Sequence, residues 1–325
     1  MKQLSEQSIK ECLNRCYGVK VSTIALLPLG ADINASIYQV IDEERRAYFV
    51  KVRPGKHYDV TAALLMQLHE AGIEQIIPPI PAQNGQITQD IEGLTLIVYP
   101  FVKGVDGFSH HLTDDQWYTL GKVMRQIHAV KPSVAIKTET YSSQWRERVR
   151  HLFDHINSGK TVSDELGLNL LRFLQEHKEI ILRLVNRAHE LAHKIQEQTA
   201  EFVLCHSDMH GGNVLIEETG SIYIVDWDDP IMAPKERDLM FIGGGVANVW
   251  NNPHEEELFY KGYGKTQINR DILAYYRCER IVEDIAIYGQ HILLTPANIE
   301  DRPTMYKHLL AMFEPRGVVD IALKT

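Results

Sequence analysis

The hydrophobic period of this chain changes once, near residue 104, and that change limits the possible folds more than any other feature. Before it, "VSTIALLPL" (21–29), "ASIYQVI" (35–41), "RAYFVKV" (46–52) and "LTLIVYPFV" (94–102) are short runs rich in β-branched and aromatic residues, separated by turns such as "GADIN" and "DEER". This is the pattern of strands. Two helical stretches interrupt them. Residues 8–17 place Ile9, Cys12, Leu13 and Cys16 on one face, with Gly18 as a natural stop, and residues 59–71 form the second. After Gly104 and Gly107 the spacing becomes helical. Thr113 opens a helix with Trp117, Leu120, Met124 and Ile127 on one face, and helical stretches follow at 141–157, 163–198, 253–263, 269–290 and 302–314. Strands return only at 202–205, 213–217 and 221–226. The expectation is an α+β chain with a β-rich lobe over 1–98, a connector over 99–107 and a larger helical lobe over 108–325. Clefts between lobes are common ligand sites.

Charge and cysteine usage exclude several classes. The 325 residues carry a formal net charge of −9, and no run of five Lys or Arg occurs, which disfavours a nucleic-acid partner. No stretch approaches 18 apolar residues, so no membrane span is expected. The opening "MKQLSEQSIK" lacks an apolar signal core. Cys12, Cys16, Cys205 and Cys278 show no CxxC spacing and read as thiols in a reducing cytoplasm.

The stretch "LCHSDMHGGNVLI" (204–216) concentrates the chemistry. His206, Asp208 and His210 alternate and could ligate a transition metal, but no HExxH or paired-cysteine motif supplies further ligands. A polar turn between strands is the plainer reading. A third uses the spacing: His206-x-Asp208-x-x-x-x-Asn213 matches the catalytic loop of kinases. Asp208 would then accept the proton of an acceptor hydroxyl, and Asn213 would offer an amide oxygen to a magnesium ion. "SIYIVDWDD" follows, an apolar strand ending in Asp226, thirteen residues after Asn213. An Asp and an Asn, together with nucleotide phosphates, suffice for magnesium.

A kinase also needs a strand lysine in the small lobe. Lys51 in "AYFVKV" is that residue, and Asp59 on the next helix is the candidate acid to pair with it. The turn "LGADINAS" has no G-x-G-x-x-G. Gly30, Asp32 and Asn34, with the amides of 30–36, are the candidates to reach the phosphates of ATP. "IVYPFV" stands where a kinase has its interlobe hinge. The Tyr99 carbonyl and Phe101 amide would hold adenine there, or Pro100 and Val102 if the register shifts. "LMFIGGGVANVW" (239–250) lacks dinucleotide spacing, so Gly243–Gly245 are read as allowing close packing or a loop by the acceptor pocket. Glu236, Arg237 and Asp238 are read as internal ion pairs bracing the loop.

With "CHSDMHGGNVLI", "IYIVDWDD" and "PKERDL" in this order, the chain resembles the aminoglycoside phosphotransferase and choline kinase family, over essentially its whole length. "IVYPFV", "GKVMRQIH", "YSSQWRE" and "ERIVEDIAIYGQ" make it similar to the branch that phosphorylates spectinomycin. The resemblance implies a bilobal protein-kinase-like fold, ATP and Mg2+ as cofactors, and transfer of a phosphoryl group to a hydroxyl of a small cationic aminocyclitol. One departure is Ser207, where the family often has glycine. For a cationic acceptor the candidate acids are Asp228, Asp229, Glu283 and Asp284, with ring faces from Trp145, Trp250 and Tyr288. The rival readings are a housekeeping kinase of the same fold acting on choline, homoserine, a methylthio-sugar or a fructosamine, an inactive binding module, and a metal hydrolase.

Overall fold

The computed structural model describes residues 4–27, 35–55, 58–157, 164–244, 246, 249–294 and 301–325. It comprises two compact units. One is Met1–Gln116 with Val123–Lys137 and Gly212–Pro230; the other is Trp117–Lys122 with Thr138–Gly211 and Ile231–Thr325. The division is not a single cut at 98–107, because a hairpin late in the sequence pairs with strand residues near 105.

In the first unit, α1 (Glu6–Tyr17) starts where Ser5 accepts a hydrogen bond from the Ser8 amide and stops at Gly18, whose φ of 69° lies in the left-handed region. Then come β1 (Val21–Leu27), β2 (Ser36–Asp42), β3 (Ala47–Pro54), α2 (Tyr58–Glu70), β4 (Thr88–Ile91) and β5 (Leu94–Pro100). The five strands form an antiparallel sheet in the order β1-β2-β3-β5-β4. The sequence reading lacked β4, since "TQDI" has too little apolar character to announce a strand. Val50 and Val52 are buried in one cluster with Ile9 and Leu13 of α1. Strand alternation therefore sends Lys51 and Arg53 to the opposite face.

Also in this unit, β6 (Gly104–Asp106) pairs with β8 (Val214–Glu217), and β8 pairs with β9 (Ile222–Ile224). Glycine is required at 104, because a Cβ there would lie 2.3 Å from the Ile216 carbonyl oxygen. The expected start at Thr113 is a full capping box for α3 (Asp114–Ala129), with Gln116 bonding back to the Thr113 amide.

The second unit is helical. It contains α4 (Gln144–Asn157), α5 (Glu165–Glu176), α6 (Lys178–Gln196), β7 (Val203–Cys205), β10 (Ile231–Ala233), α7 (Glu236–Leu239), α8 (Pro253–Tyr263), α9 (Arg270–Leu294), α10 (Arg302–Met312) and α11 (Val318–Lys324). The helical stretch expected over 163–198 is two helices. They meet at His177, whose ring stacks on Phe173 at 4.1 Å and whose Nδ1 lies 2.9 Å from the Phe173 carbonyl. The long helix α9 is the hub. Its Ile281, Val282, Ile285 and Ala286 share one buried cluster with α4, α5, α6, α10 and α11. Among the described residues no helix is long and apolar enough to cross a membrane. All four cysteines are free thiols.

Candidate active site

The candidate metal-binding pair, Asn213 and Asp226, is brought together by the β8–β9 hairpin. Val214 opposes Ile224, so Asn213 and Val225 close that end, with the Val225 amide donating to the Asn213 carbonyl at 3.0 Å. Asp226 follows directly, in a left-handed conformation with φ of 61°. The hairpin thus brings an amide and a carboxylate to one end of one element, an all-oxygen donor set that suits magnesium. The Ile224 amide also donates to Gln75 at 2.9 Å, tying the hairpin to the chain after α2.

On the polar face of β3, Lys51 Nζ lies 2.8 and 2.9 Å from the two Asp228 oxygens and 3.3 Å from Asp226 Oδ1. Arg53 also pairs with Asp228. Burial raises the Asp228 carboxyl's pKa, but Lys51 and its other partners outweigh this and hold it below its ordinary value. Two expectations are corrected here. The acid partner of Lys51 is Asp228, because the hairpin delivers it to the lysine's face of the sheet. Asp59 instead accepts from the Thr88 hydroxyl on β4. Asp228 is accordingly engaged in the lysine cluster and not available to an ammonium group. Asp229 is exposed and pairs with Lys137 at 2.6 Å.

Around the expected hinge, Phe101 donates its amide to the Ala47 carbonyl at 3.2 Å, so that amide is engaged within the sheet. Tyr99 opposes Phe49 and Pro100 opposes Tyr48, so strand alternation points the Tyr99 carbonyl toward β3 and the Pro100 carbonyl away from it. Gly30, Asp32 and Asn34 lie outside the described residues.

The second unit holds the candidate base. β7 pairs with β10, Cys205 opposing Ile231, and the chain beyond β10 enters α7. Asp238 of α7 then accepts from the amides of His206 at 2.9 Å and Ser207 at 2.7 Å. The loop is braced by these two backbone hydrogen bonds to one aspartate and not by the ion pairs expected within Glu236–Asp238; Glu236 pairs with Lys235. Ser207 has φ of 76°, which accounts for glycine suiting this position. His206 is buried, and its Nδ1 accepts from the Asp208 amide at 3.3 Å.

The half-buried Asp208 carboxylate meets Arg280 Nη1 at 2.6 Å on Oδ1 and His210 Nε2 at 3.3 Å on Oδ2. Burial pushes its pKa up, but Arg280 and the two histidines outweigh it, so the carboxyl sits well below the usual range and stays ionised. Arg280 Nε also lies 3.2 Å from Asp284. Burial pushes Asp284 up to about 6 against the pull of Arg280.

Arg280 is the residue the sequence reading missed. It lies 72 positions from Asp208 in a helix whose charges look like a solvated face, and only its i, i+4 spacing to Asp284 hinted at a role. Glu283 lies near Arg280 and Arg237. Trp250 is corrected: its ring packs edge-on against Trp117 at 5.0 Å and is buried. Trp145 and Tyr288 pack against the helical core, with the Arg148 guanidinium 4.6 Å from the Trp145 ring. Gly243 and Gly244 have φ of 86° and 95°, and a Cβ on Gly244 would lie 2.5 Å from Ile321. At these two positions the packing reading holds; Gly245 lies outside the described residues.

Known proteins resemble this arrangement over most of the chain. A structure of spectinomycin phosphotransferase APH(9)-Ia in complex with ADP and spectinomycin matches with a TM-score of 0.91 and 43% identity, covering 99% of this chain and 98% of that one. An AMP-bound complex of APH(9)-Ia matches at 0.88 and 41%, covering 99% of each. Protein StrN of Streptomyces griseus is 24% identical over 194 residues, 56% of this chain; the match spans 59% of that protein's length. The model of the phosphotransferase enzyme family matches residues 25–272. The chain belongs to the phosphotransferase enzyme family, the aminoglycoside phosphotransferase and choline kinase group with the protein-kinase-like fold.

Proposed function

We propose that this protein transfers the γ-phosphoryl group of ATP, with magnesium, to a hydroxyl of spectinomycin or a closely related aminocyclitol. The observation that carries the reading is the end-to-end likeness, at 43% identity, to a phosphotransferase solved with ADP and spectinomycin. Residues 1–98, with the β8–β9 hairpin that belongs to the same unit, serve in nucleotide binding, 99–107 as the connector, and the rest of 108–325 carries Asp208 and the acceptor site. The enzyme works in the cytoplasm, where ATP and magnesium are supplied.

Magnesium bound to nucleotide phosphates neutralises charge on the group being transferred. The Asn213 amide oxygen and the Asp226 carboxylate would hold it. Lys51, which lies 3.3 Å from Asp226 and closer to Asp228, takes the α- and β-phosphates, with Asp228 and Arg53 as its neighbours. The Pro100 carbonyl and Val102 amide hold the adenine edge. Asp208 orients the acceptor hydroxyl and takes its proton as the new P–O bond forms and the bond to ADP breaks. A carboxylate whose pKa is held low is a weak base. That is adequate, because a loose transition state gains most from positioning and charge neutralisation. Of the acids considered for an acceptor ammonium, Asp228 pairs with Lys51, Asp229 with Lys137 and Asp284 with Arg280, which leaves Glu283, itself near Arg237 and Arg280, as the candidate.

An ADP-release assay with spectinomycin, kanamycin, choline and homoserine tests the reading. Spectinomycin should be turned over and the others poorly, and EDTA should abolish the rate. A rigid tricycle with two methylamino groups suits a site with few uncommitted acids, and each unpaired buried ammonium costs about 1–3 kcal/mol, roughly 5- to 150-fold in rate. Ordinary rates with choline or homoserine and none with spectinomycin would transfer the assignment to a housekeeping kinase.

A further inference from the structure

The geometry points to Arg280 as the residue that positions the Asp208 carboxylate, and to Asp284 as a residue that acts through Arg280 and not on the substrate. This rests on the reading of Asp208 as the base of the proposed reaction. Three observations support it, all within the helical unit.

Arg280 Nη1 lies 2.6 Å from Asp208 Oδ1, and His210 Nε2 lies 3.3 Å from Oδ2. The arginine therefore fixes one oxygen of the carboxylate from outside its own loop. The platform is rigid: Arg280 sits on α9 next to Ile281 and Val282, which are 2% and 0% exposed. A carboxylate held from a packed helix keeps its angle better than one held by its own loop, and a misplacement of about 1 Å can cost on the order of 100-fold in rate.

The third observation concerns Asp284. It lies one helical turn beyond Arg280, with Oδ1 3.2 Å from Arg280 Nε. The guanidinium is thus shared between two carboxylates, and it cannot lose its charge. An ammonium group brought to Asp284 would meet Arg280 at the same place and be repelled. Glu283 and Arg237 are the other charges that bear on Arg280, and the Phe241 ring lies 5.9 Å from its guanidinium carbon. Removing the arginine also removes the largest of the influences, beside His210 and His206, that hold the Asp208 carboxyl below its usual range.

The test is steady-state kinetics of the full chain with Arg280→Gln, Arg280→Ala, Arg280→Lys, Asp284→Asn and the Arg280→Gln/Asp284→Asn pair. The acceptor is whichever compound the wild-type enzyme turns over, so failure on spectinomycin would sink the substrate reading while these variants still judge Arg280. Arg280→Gln should lower kcat about 10-fold or more with KM for ATP within twofold of wild type. Free guanidinium ion should restore part of the rate to Arg280→Ala, and Arg280→Lys should keep more activity than Arg280→Gln. Asp284→Asn should lower kcat by less, and the double variant should be no slower than Arg280→Gln alone. A kcat for Arg280→Gln within twofold of wild type would overturn the inference. So would Asp284→Asn raising the acceptor KM at unchanged kcat, with effects that multiply in the double variant. If Arg280→Gln does not fold, Asp284→Asn and Arg280→Lys decide: a raised acceptor KM in the first, or wild-type kcat in both, would overturn the inference.

Discussion

Lys51 is a charged residue in a strand whose neighbours Val50 and Val52 are buried, and its place on the opposite face is what makes it available. Its two aspartates differ in kind. Asp228 holds it with two short contacts and is itself held by Arg53, whereas Asp226 makes one longer contact with it and would serve the metal. Lys51→Met should therefore leave the fold standing, since Asp228 keeps Arg53. It should lower kcat/KM for ATP by about 10- to 100-fold, the value of one or two charge-assisted hydrogen bonds. Kinetics with a parallel thermal melt read this out, and an unchanged kcat/KM would make Lys51 an ordinary strand lysine. The lysine was legible because a cation inside an apolar strand is unusual. Its partner was not, because the hairpin that carries Asp228 lies 177 residues away and only pairing with β6 brings it back.

At the level of elements, the helices that present the site depend on their caps. Asp164 starts α5, accepting from the Gly167 amide at 3.0 Å, and both its oxygens lie 3.0 Å from Arg302 of α10, a residue only 1% exposed. Asp164→Ala should cost about 1 kcal/mol from the lost cap, and more because Arg302 loses its carboxylate. The Gly167 amide and then Arg302 lower the Asp164 pKa. This contribution is complete above the unfolded carboxylate value, near pH 4, and is lost as pH falls through the lower folded value. Denaturant melts of wild type and variant should therefore differ by a constant amount between pH 6 and 8 and converge below about pH 4. A difference that grows on acidification would contradict the ion-pair role. Elements with strong apolar periods, such as α3 and β3, were legible from sequence. β4, β10 and α11 were not: they are short or polar, and each takes its form from a neighbour, as β10 does from β7.

For the whole molecule, one change of hydrophobic period carried the α+β architecture, and the H-x-D-x-x-x-x-N loop with the following hairpin carried the chemistry. The shortfall lay in tertiary partners. Arg280 for Asp208 and Asp228 for Lys51 are contacts across 72 and 177 positions, and no local pattern encodes them. The same holds for the hinge, where it is the neighbouring strand's Ala47 that takes up the Phe101 amide. The most direct measurement is 31P NMR and mass analysis of spectinomycin incubated with ATP, magnesium and the purified protein, wild type or Asp208→Ala. The wild type should convert spectinomycin to a product one phosphoryl group heavier while forming equimolar ADP. Asp208→Ala should lose at least about 100-fold of that rate, the usual share of a general base, while still binding ADP. Conversion by the variant at the wild-type rate, or no phosphorylated spectinomycin from the wild type under conditions where it turns over another alcohol, would contradict the proposal.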